Sequence, residues 1–432
     1  MVNELPVAFL RSTAALFGPE RFGRFMSAMA EEPPVSIRVN PLKVKCAEPV
    51  SDGERVPWCP WGYYLPRRPN FTFDPLFHAG CYYVQEAASQ FVTAAAALRR
   101  ILPGDGSPAF VLDLCAAPGG KSTALLSALP GDCLLVSNEP VRQRASVLAE
   151  NMQKWGHPNC AVTSCQARDF VRAGLEGVFD MIVCDVPCSG EGMFRKDPAS
   201  VGEWSEDGVS RCRRLQRRIV GDVWPCLRPG GLMVYSTCTY NVHENEENVK
   251  WLQEQTGAEV TAIPVQGEWG VVPSLLQGFD APVCRFIPGM TRSEGLFMAV
   301  LRKTDGGKGT RLRARQVGER IAAMALERRK DTPGAGRKGG PLPAEALSAA
   351  LDPGRHPTAE LPYHTAIAYL RREAVVLPAG TPAGHVIVTF GGHALGFVKN
   401  IGPRANNLLP REWAIKSSHV PEAYGRVLRE GA

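Results

Sequence analysis

No uninterrupted apolar run in this 432-residue sequence approaches the ~18 residues that a membrane helix requires. The nearest candidate, Phe91 to Leu98, falls well short, so no membrane association is expected. The N-terminal stretch carries Glu4, Pro6 and Arg11 among its apolar residues and does not resemble a signal peptide, which makes the cytoplasm the expected location. The thirteen cysteines lack regular spacing, and no Cys-x-x-Cys pair or Cys/His cluster has zinc-ligand spacing; no metal and no disulfide framework are expected. No internal repeat stands out. The net charge is small as well, +6 from 49 Lys/Arg against 43 Asp/Glu.

That small excess is unevenly spread. From Arg302 to Gly339 there are twelve Lys/Arg against four Asp/Glu, which leaves the rest of the chain slightly acidic. A basic stripe of this kind suits a phosphate backbone or a solvated linker. The 44% hydrophobic content is that of an ordinary globular protein, long enough for two or three domains.

Residues 5 to 30 place Phe9, Leu10, Ala14, Leu16, Phe17, Phe22, Phe25, Met26 and Met29 at helical spacing, ended by Pro33-Pro34. Val35 to Asn40 alternates as a strand does. Between Glu48 and Pro75, Trp58, Trp61, Tyr63 and Tyr64 are interleaved with Arg55, Arg67 and Arg68; such aromatics stack nucleobases or pack a loop-rich accessory domain. An Ala-rich helix is expected from about Glu86 to Leu102.

Beyond Pro103-Gly104-Asp105-Gly106 the pattern becomes βαβα. Strands are expected at Phe110–Cys115, Leu134–Asn138, Ala161–Cys165, Asp180–Cys184, Leu232–Ser236 and Gly295–Leu301. Helices are expected at Gly119–Leu129, Val141–Trp155, Val209–Leu227 and His243–Gln255. The fold class is α/β: a doubly wound, mostly parallel, Rossmann-like sheet, with small accessory domains at either end. The expected divisions are 1–105 (N-terminal α+β), 106–302 (catalytic), 303–345 (a flexible basic linker with one amphipathic helix near Val317, Ile321 and Met324) and 346–432 (β-rich, with a hairpin at Val386–Phe390 and Leu395–Lys399).

Cys115-Ala116-Ala117-Pro118-Gly119-Gly120-Lys121 joins the first strand to a helix. Small residues there let the backbone approach a ligand, and free N–H groups at the helix start attract negative polarity. It is a poor phosphate-binding loop, because Cys115 stands where that pattern needs glycine and Pro118 removes an N–H. Glu139 ends the second strand about 20 residues after Gly119, where a carboxylate accepts bonds from both ribose hydroxyls of a nucleoside cofactor. With Arg144, Asp169 and Asp185 at or near successive strand ends, the pocket points to S-adenosylmethionine more than to a dinucleotide.

Two cysteines follow buried-strand patterns: Cys188 in Asp185-Val186-Pro187-Cys188-Ser189-Gly190-Glu191-Gly192, and Cys238 in Ser236-Thr237-Cys238-Thr239-Tyr240. Ligands of open parallel sheets bind outside the carboxyl ends of the strands, so both thiols could face one substrate. CAAPGGK (115–121), DVPCSGEG (185–192) with FRKDP (194–198), and STCTY (236–240) with NEENV (245–249) together resemble the motif set of the Nop/Sun family of RNA cytosine-5 methyltransferases. The resemblance extends over roughly residues 5 to 303. The tail is similar to that of a bacterial subfamily acting on small-subunit ribosomal RNA, while residues 303–345 match it poorly.

This resemblance implies a class I S-adenosylmethionine-dependent methyltransferase domain and a PUA-like C-terminal domain. It implies Cys238 as nucleophile on carbon 6 of cytidine and Cys188 as the group assisting proton removal and product release. Lys121 is the motif's nearest cation, and Asp185 suits the cytosine N3 and amino group. Arg195 and Lys196 are expected to position RNA beside the target base. Transfer RNA as substrate, and a non-catalytic ribosome-assembly factor, remain the alternative readings. A monomer is expected.

Overall fold

In the computed structural model, residues 5–98, 109–304, 312–326, 343–348, 354–417, 419–422 and 424–431 are described. The expected N-terminal helix runs from Val7 to Met29, bent at Gly18, whose positive φ of 72° lets Pro19 begin the second half. After it, β1 (Val35–Val39), β2 (Glu54–Arg55), β3 (Gly62–Leu65) and β4 (Tyr82–Val84) form an antiparallel sheet in the order β2-β3-β1-β4. The Ala-rich segment is shorter than expected. Its α-helical part is Val92–Ala96, and residues 99–108 lie outside the described residues.

The central sheet follows. Its strands are β5 (Phe110–Asp113), β6 (Leu134–Asn138), β7 (Cys160–Thr163), β8 (Phe179–Asp185), β9 (Leu227–Thr237), β10 (Glu259–Thr261), β11 (Cys284–Phe286) and β12 (Leu296–Arg302). The order is β10-β12-β9-β8-β5-β6-β7, with β11 also paired to β12. The pairs from β9 to β7 are parallel, and β10, β11 and β12 are antiparallel additions at one side. Residues 179–184 are buried throughout, as a strand covered by helices on both faces must be. This is the doubly wound, Rossmann-like methyltransferase fold expected.

Two departures have local causes. Pro229-Gly230-Gly231 reads as a break, yet β9 passes through it because a register shift opposite Phe179–Met181 absorbs the extra residues. Strands β10 and β11 are three residues each, too short for an alternation to register.

The linker expectation needs correction. Most of the basic segment lies outside the described residues, but the amphipathic helix Ala314–Met324 is docked on the central sheet. Val317 and Ile321 are almost completely buried, each contributing about 1.5–3 kcal/mol by leaving water. A bridge from Ala325 to Thr163 attaches the end of this segment to β7.

At the C-terminus, β13 (Thr358–Glu360), β14 (Gly384–Phe390), β15 (His393–Asn400) and β16 (Ala405–Asn407) make a four-stranded sheet containing the expected hairpin. This sheet does not stand apart from the N-terminal one. Ile37, Val39 and Tyr63 share one hydrophobic core with Leu361, Val386 and Val398, and Arg429 donates its backbone N–H to Pro49 O at 2.7 Å.

Arg38, fully buried on β1, ties this fused pair to the catalytic domain. Its guanidinium donates to Gln85 Oε1 (2.9 Å), Thr123 Oγ1 (2.5 Å) and the carbonyls of Thr123 and Gly120, and lies over the Trp155 ring. Burial lowers its pKa to about 10, still leaving it charged at neutral pH. No helix among the described residues is long and apolar enough to cross a membrane.

Deleting residues 354–431 would uncover Ile37, Val39 and Tyr63. The truncated chain is expected to melt at lower temperature and to bind an apolar dye; an unchanged melting temperature would mean that the two ends fold independently.

Candidate active site

The carboxyl ends of β5, β6, β8 and β9 deliver the sequence-selected residues to one edge of the sheet. After β5, Gly119 adopts φ 114°, which Gly tolerates and an L-residue resists, and the helix Gly120–Ala128 starts there. A Cβ at Gly119 would stand 3.2 Å from Leu148 Cδ1. Arg144 spans the mouth of this turn, donating to Ala117 O at 3.1 Å and lying 3.4 Å from Glu139 Oε2.

Glu139 is buried to 1% exposure, with Oε1 accepting the Val141 N–H at 3.0 Å. Its other oxygen, Oε2, faces the Arg144 guanidinium at 3.4 Å but makes no hydrogen bond among the described residues. A buried carboxylate oxygen without a donor is costly unless a ligand supplies one, and ribose hydroxyls are suitable donors. The residues present therefore fit a nucleoside cofactor.

Asp169 is placed differently. Its carboxylate closes a capping box with Gln166 and pairs with Arg172 at 3.2 Å, so its recorded bonds serve its own helix.

The two cysteines meet. Cys188 Sγ and Cys238 Sγ are 3.2 Å apart, although fifty residues separate them in sequence. The hydrogen bond with Cys238, then burial, raises the Cys188 thiol well above the usual thiol range, so Cys188 keeps its proton at neutral pH. Beside them, Lys121 Nζ lies 2.9 Å from Asp185 Oδ2, and Ser236 Oγ donates to Asp185 Oδ1 at 2.7 Å. Burial alone would lower the Lys121 pKa. The charge and hydrogen bond of Asp185, with a further contribution from Cys238, outweigh it and hold the ammonium above its ordinary value.

Two buried carboxylates lock the cysteine loops together, and sequence reasoning missed both. Glu191, from the Cys188 loop, accepts the N–H groups of Tyr240 (2.7 Å) and Asn241 (3.0 Å), the Asn241 side-chain amide (2.9 Å) and Trp204 Nε1 (3.1 Å). Glu244, from the Cys238 side, accepts Ser189 N–H (3.0 Å), the Gln216 amide (2.7 Å) and the Asn241 amide (2.9 Å). Each loop thus inserts a carboxylate that satisfies donors of the other. The available signal was Glu191 within the first motif and Glu244 immediately before the Asn-Glu-Glu-Asn run.

A third buried carboxylate, Glu246, pairs with Arg285, whose guanidinium also donates to Tyr240 O at 2.6 Å. The Tyr240 ring then packs on Phe17 and Phe25 of the N-terminal helix, at centroid distances of 6.0 and 5.2 Å.

Arg195 requires correction as an RNA contact. Its side chain is 6% exposed and is consumed by Glu294 (2.7 Å), Ala28 O (2.7 Å) and Ser293 O (3.2 Å). Lys196 next to it is exposed. Nor are the N-terminal aromatics free to stack bases: Trp58, Tyr63 and Tyr64 are buried, with Arg55 and Arg292 already over the two tyrosine rings.

Three family models match in chain order. They describe the N-terminal domain of 16S rRNA methyltransferase RsmF (residues 5–87), 16S rRNA methyltransferase RsmB/F (103–302) and the methyltransferase RsmF PUA domain (357–415). Ribosomal RNA small subunit methyltransferase F of Escherichia coli is 29% identical, covering 94% of this chain and 96% of the relative. Its counterpart in Pectobacterium atrosepticum is 35% identical over 62% of this chain; there the chain spans 56% of the relative's length. A solved methyltransferase homolog from Pyrococcus horikoshii superimposes with a TM-score of 0.55 at 26% identity, covering 69% of this chain and all of that one.

Two outcomes follow from this geometry. Glu191→Gln turns an amide N–H₂ toward N–H donors and is expected to cost about 1–3 kcal/mol in urea denaturation; it should also speed maleimide labelling of Cys188 and Cys238, whereas unchanged labelling would detach Glu191 from their placement. Asp113, buried at the end of β5 and bonded to Ser122 Oγ at 2.7 Å, is pushed by burial from 3.8 to about 7. The folded state therefore holds this proton more tightly than the unfolded chain. The associated stability is full below pH 3.8 and is lost as pH rises through about 7. Asp113→Asn should accordingly reduce the drop in melting temperature between pH 5 and pH 8.

Proposed function

This chain belongs to the 16S rRNA methyltransferase RsmB/F family, and we propose that it methylates carbon 5 of cytidine in small-subunit ribosomal RNA. The Cys115–Lys121 turn and Glu139 would hold S-adenosylmethionine, which would supply the methyl group and leave as S-adenosylhomocysteine. The observation that carries the reading is the 3.2 Å approach of two strand-end thiols beside the Lys121–Asp185 pair.

Carbon 5 of cytosine is too weak a nucleophile to take a methyl group unaided. Addition of the Cys238 thiolate at carbon 6 breaks the ring's aromaticity and makes carbon 5 enamine-like. Carbon 5 then takes the methyl group, loses its proton, and the carbon 6–sulfur bond breaks to restore the ring and release Cys238. An unperturbed thiol is only a few per cent ionised at pH 7, so a nearby cation matters. The half-buried Lys121 ammonium is close enough to Cys238 to interact with it electrostatically.

Asp185 has one donor on each oxygen and is 32% exposed, so lone pairs remain for the cytosine amino group and a protonated N3. A proton shared there draws electrons from carbon 6 and favours addition. Cys188 lies against Cys238; once ionised, its sulfur takes the proton from carbon 5, and the resulting thiol hydrogen-bonds the Cys238 sulfur as the carbon 6–sulfur bond breaks.

The target cytidine has to leave its stack to reach the thiols, at a cost of a few kcal/mol, offset by contacts elsewhere on the protein. Cys238→Ala is expected to abolish both methyl transfer and the covalent protein–RNA adduct. Cys188→Ala should instead accumulate an adduct that survives a denaturing gel. Full activity in Cys238→Ala would overturn the assignment, and bisulfite sequencing of ribosomal and transfer RNA from a deletion strain decides between the two substrates.

A further inference from the structure

Where the end of the N-terminal helix, the end of β3 and residues 289–293 converge, they enclose an open cleft of about 710 Å³. Its walls come from three separate parts of the chain, and four exposed arginines converge on it: Arg24, Arg67, Arg68 and Arg292. Within the cleft only Glu31 and Glu32 oppose them, both exposed.

The recorded partners leave the cations accessible. Arg24 donates to Gly289 O at 2.8 Å, a neutral acceptor. Arg292 lies flat on the Tyr64 ring at 4.3 Å and meets Glu54, itself exposed. Arg68 lies 5.5 Å over the Phe71 ring. Of the four, Arg292 is offset by Glu54, whereas Arg24, Arg67 and Arg68 have no carboxylate partner among the described residues. Arg195 also lines the cleft but is paired with the buried Glu294.

The cleft and the Cys238 loop share a wall segment. Ser293, on its wall, is two residues from Gly295, and a Cβ on Gly192 would lie 3.0 Å from Gly295 O and 2.7 Å from Cys238 O. The same short segment thus borders the cleft and backs the Cys238 loop.

We infer that this cleft holds the phosphodiester backbone of single-stranded RNA flanking the reactive nucleotide, with Arg67 and Arg68 as the principal phosphate contacts. The inference rests on the function proposed above for its substrate, and not for its geometry. Guanidinium groups suit phosphate because their forked donors match its oxygens. Backbone contacts of this kind position a strand without reading its bases. They supply a binding contribution remote from the chemistry, of the kind needed to offset extrusion of the target base.

The test uses the full chain and a short fluorescein-labelled single-stranded RNA of mixed sequence, with affinity followed by anisotropy against salt. For Arg67→Glu/Arg68→Glu, affinity is expected to fall at least about tenfold at low salt. The log–log salt slope should shrink by about 1.4, because each single-strand phosphate contact contributes about 0.7. Melting temperature and cofactor affinity should be unchanged, since both residues are exposed. Arg67→Lys/Arg68→Lys should restore most of the binding and the slope.

Unchanged affinity and slope in the Glu pair would overturn the inference, as would equal losses in the Glu and Lys pairs. Methyl transfer by the unmodified chain is measured separately. If transfer is absent while binding still depends on Arg67 and Arg68, the proposed reaction fails and the cleft assignment survives; the reverse result rejects the cleft alone.

Discussion

Two carboxylates, each buried in the other's loop, hold the site together. Glu191 gathers four donors, three of them from Tyr240 and Asn241, and Glu244 returns the arrangement by accepting Ser189 N–H. Neither loop can satisfy these groups alone. A carboxylate in the interior without donors would cost several kcal/mol, so the loops are stable chiefly in each other's presence. The 3.2 Å sulfur–sulfur approach is a consequence of that mutual dependence. It brings two thiols from separate loops to one position without any covalent constraint.

The loops in turn rest on parts of the chain outside the methyltransferase sheet. Tyr240 and Phe194, one from beyond each thiol, both pack on Phe9 of the N-terminal helix, at 6.4 and 5.0 Å. Arg38 of β1 grips the first turns of the helix that begins after Gly119. The N-terminal part is thus structural support for both halves of the site, and its core is continuous with that of the C-terminal sheet. Burial has used up the aromatic faces that composition alone might assign to RNA. What remains on that side for a polyanion is the exposed arginine cleft.

Much of the architecture was readable because a buried parallel sheet demands long apolar strands and amphipathic helices between them. The helix Arg142–Trp155 and the strands β6 and β8 left clear periodic patterns. Strands β10 and β11 left none, being three residues long and defined by pairing to β12. The helix Ala314–Met324 was visible as amphipathic, but its docking depended on an uncovered sheet face elsewhere in the chain. Arg195 shows the same limit from the other side. An arginine in a basic loop reads as solvent-facing until Glu294, ninety-nine residues away, is found against it.

The sequence by itself determined which residues stand at the strand ends: a small-residue turn after one strand, a carboxylate after the next, and two cysteines after two central strands. Those are local facts, set by residue type and by spacing along one strand–turn–helix unit. Only the tertiary structure decided that the two thiols touch, that Lys121 is charged against Asp185, and that Glu191 and Glu244 fasten one loop to the other. Each of these depends on burial and on partners far apart in the chain, and neither quantity is written in the spacing of a motif.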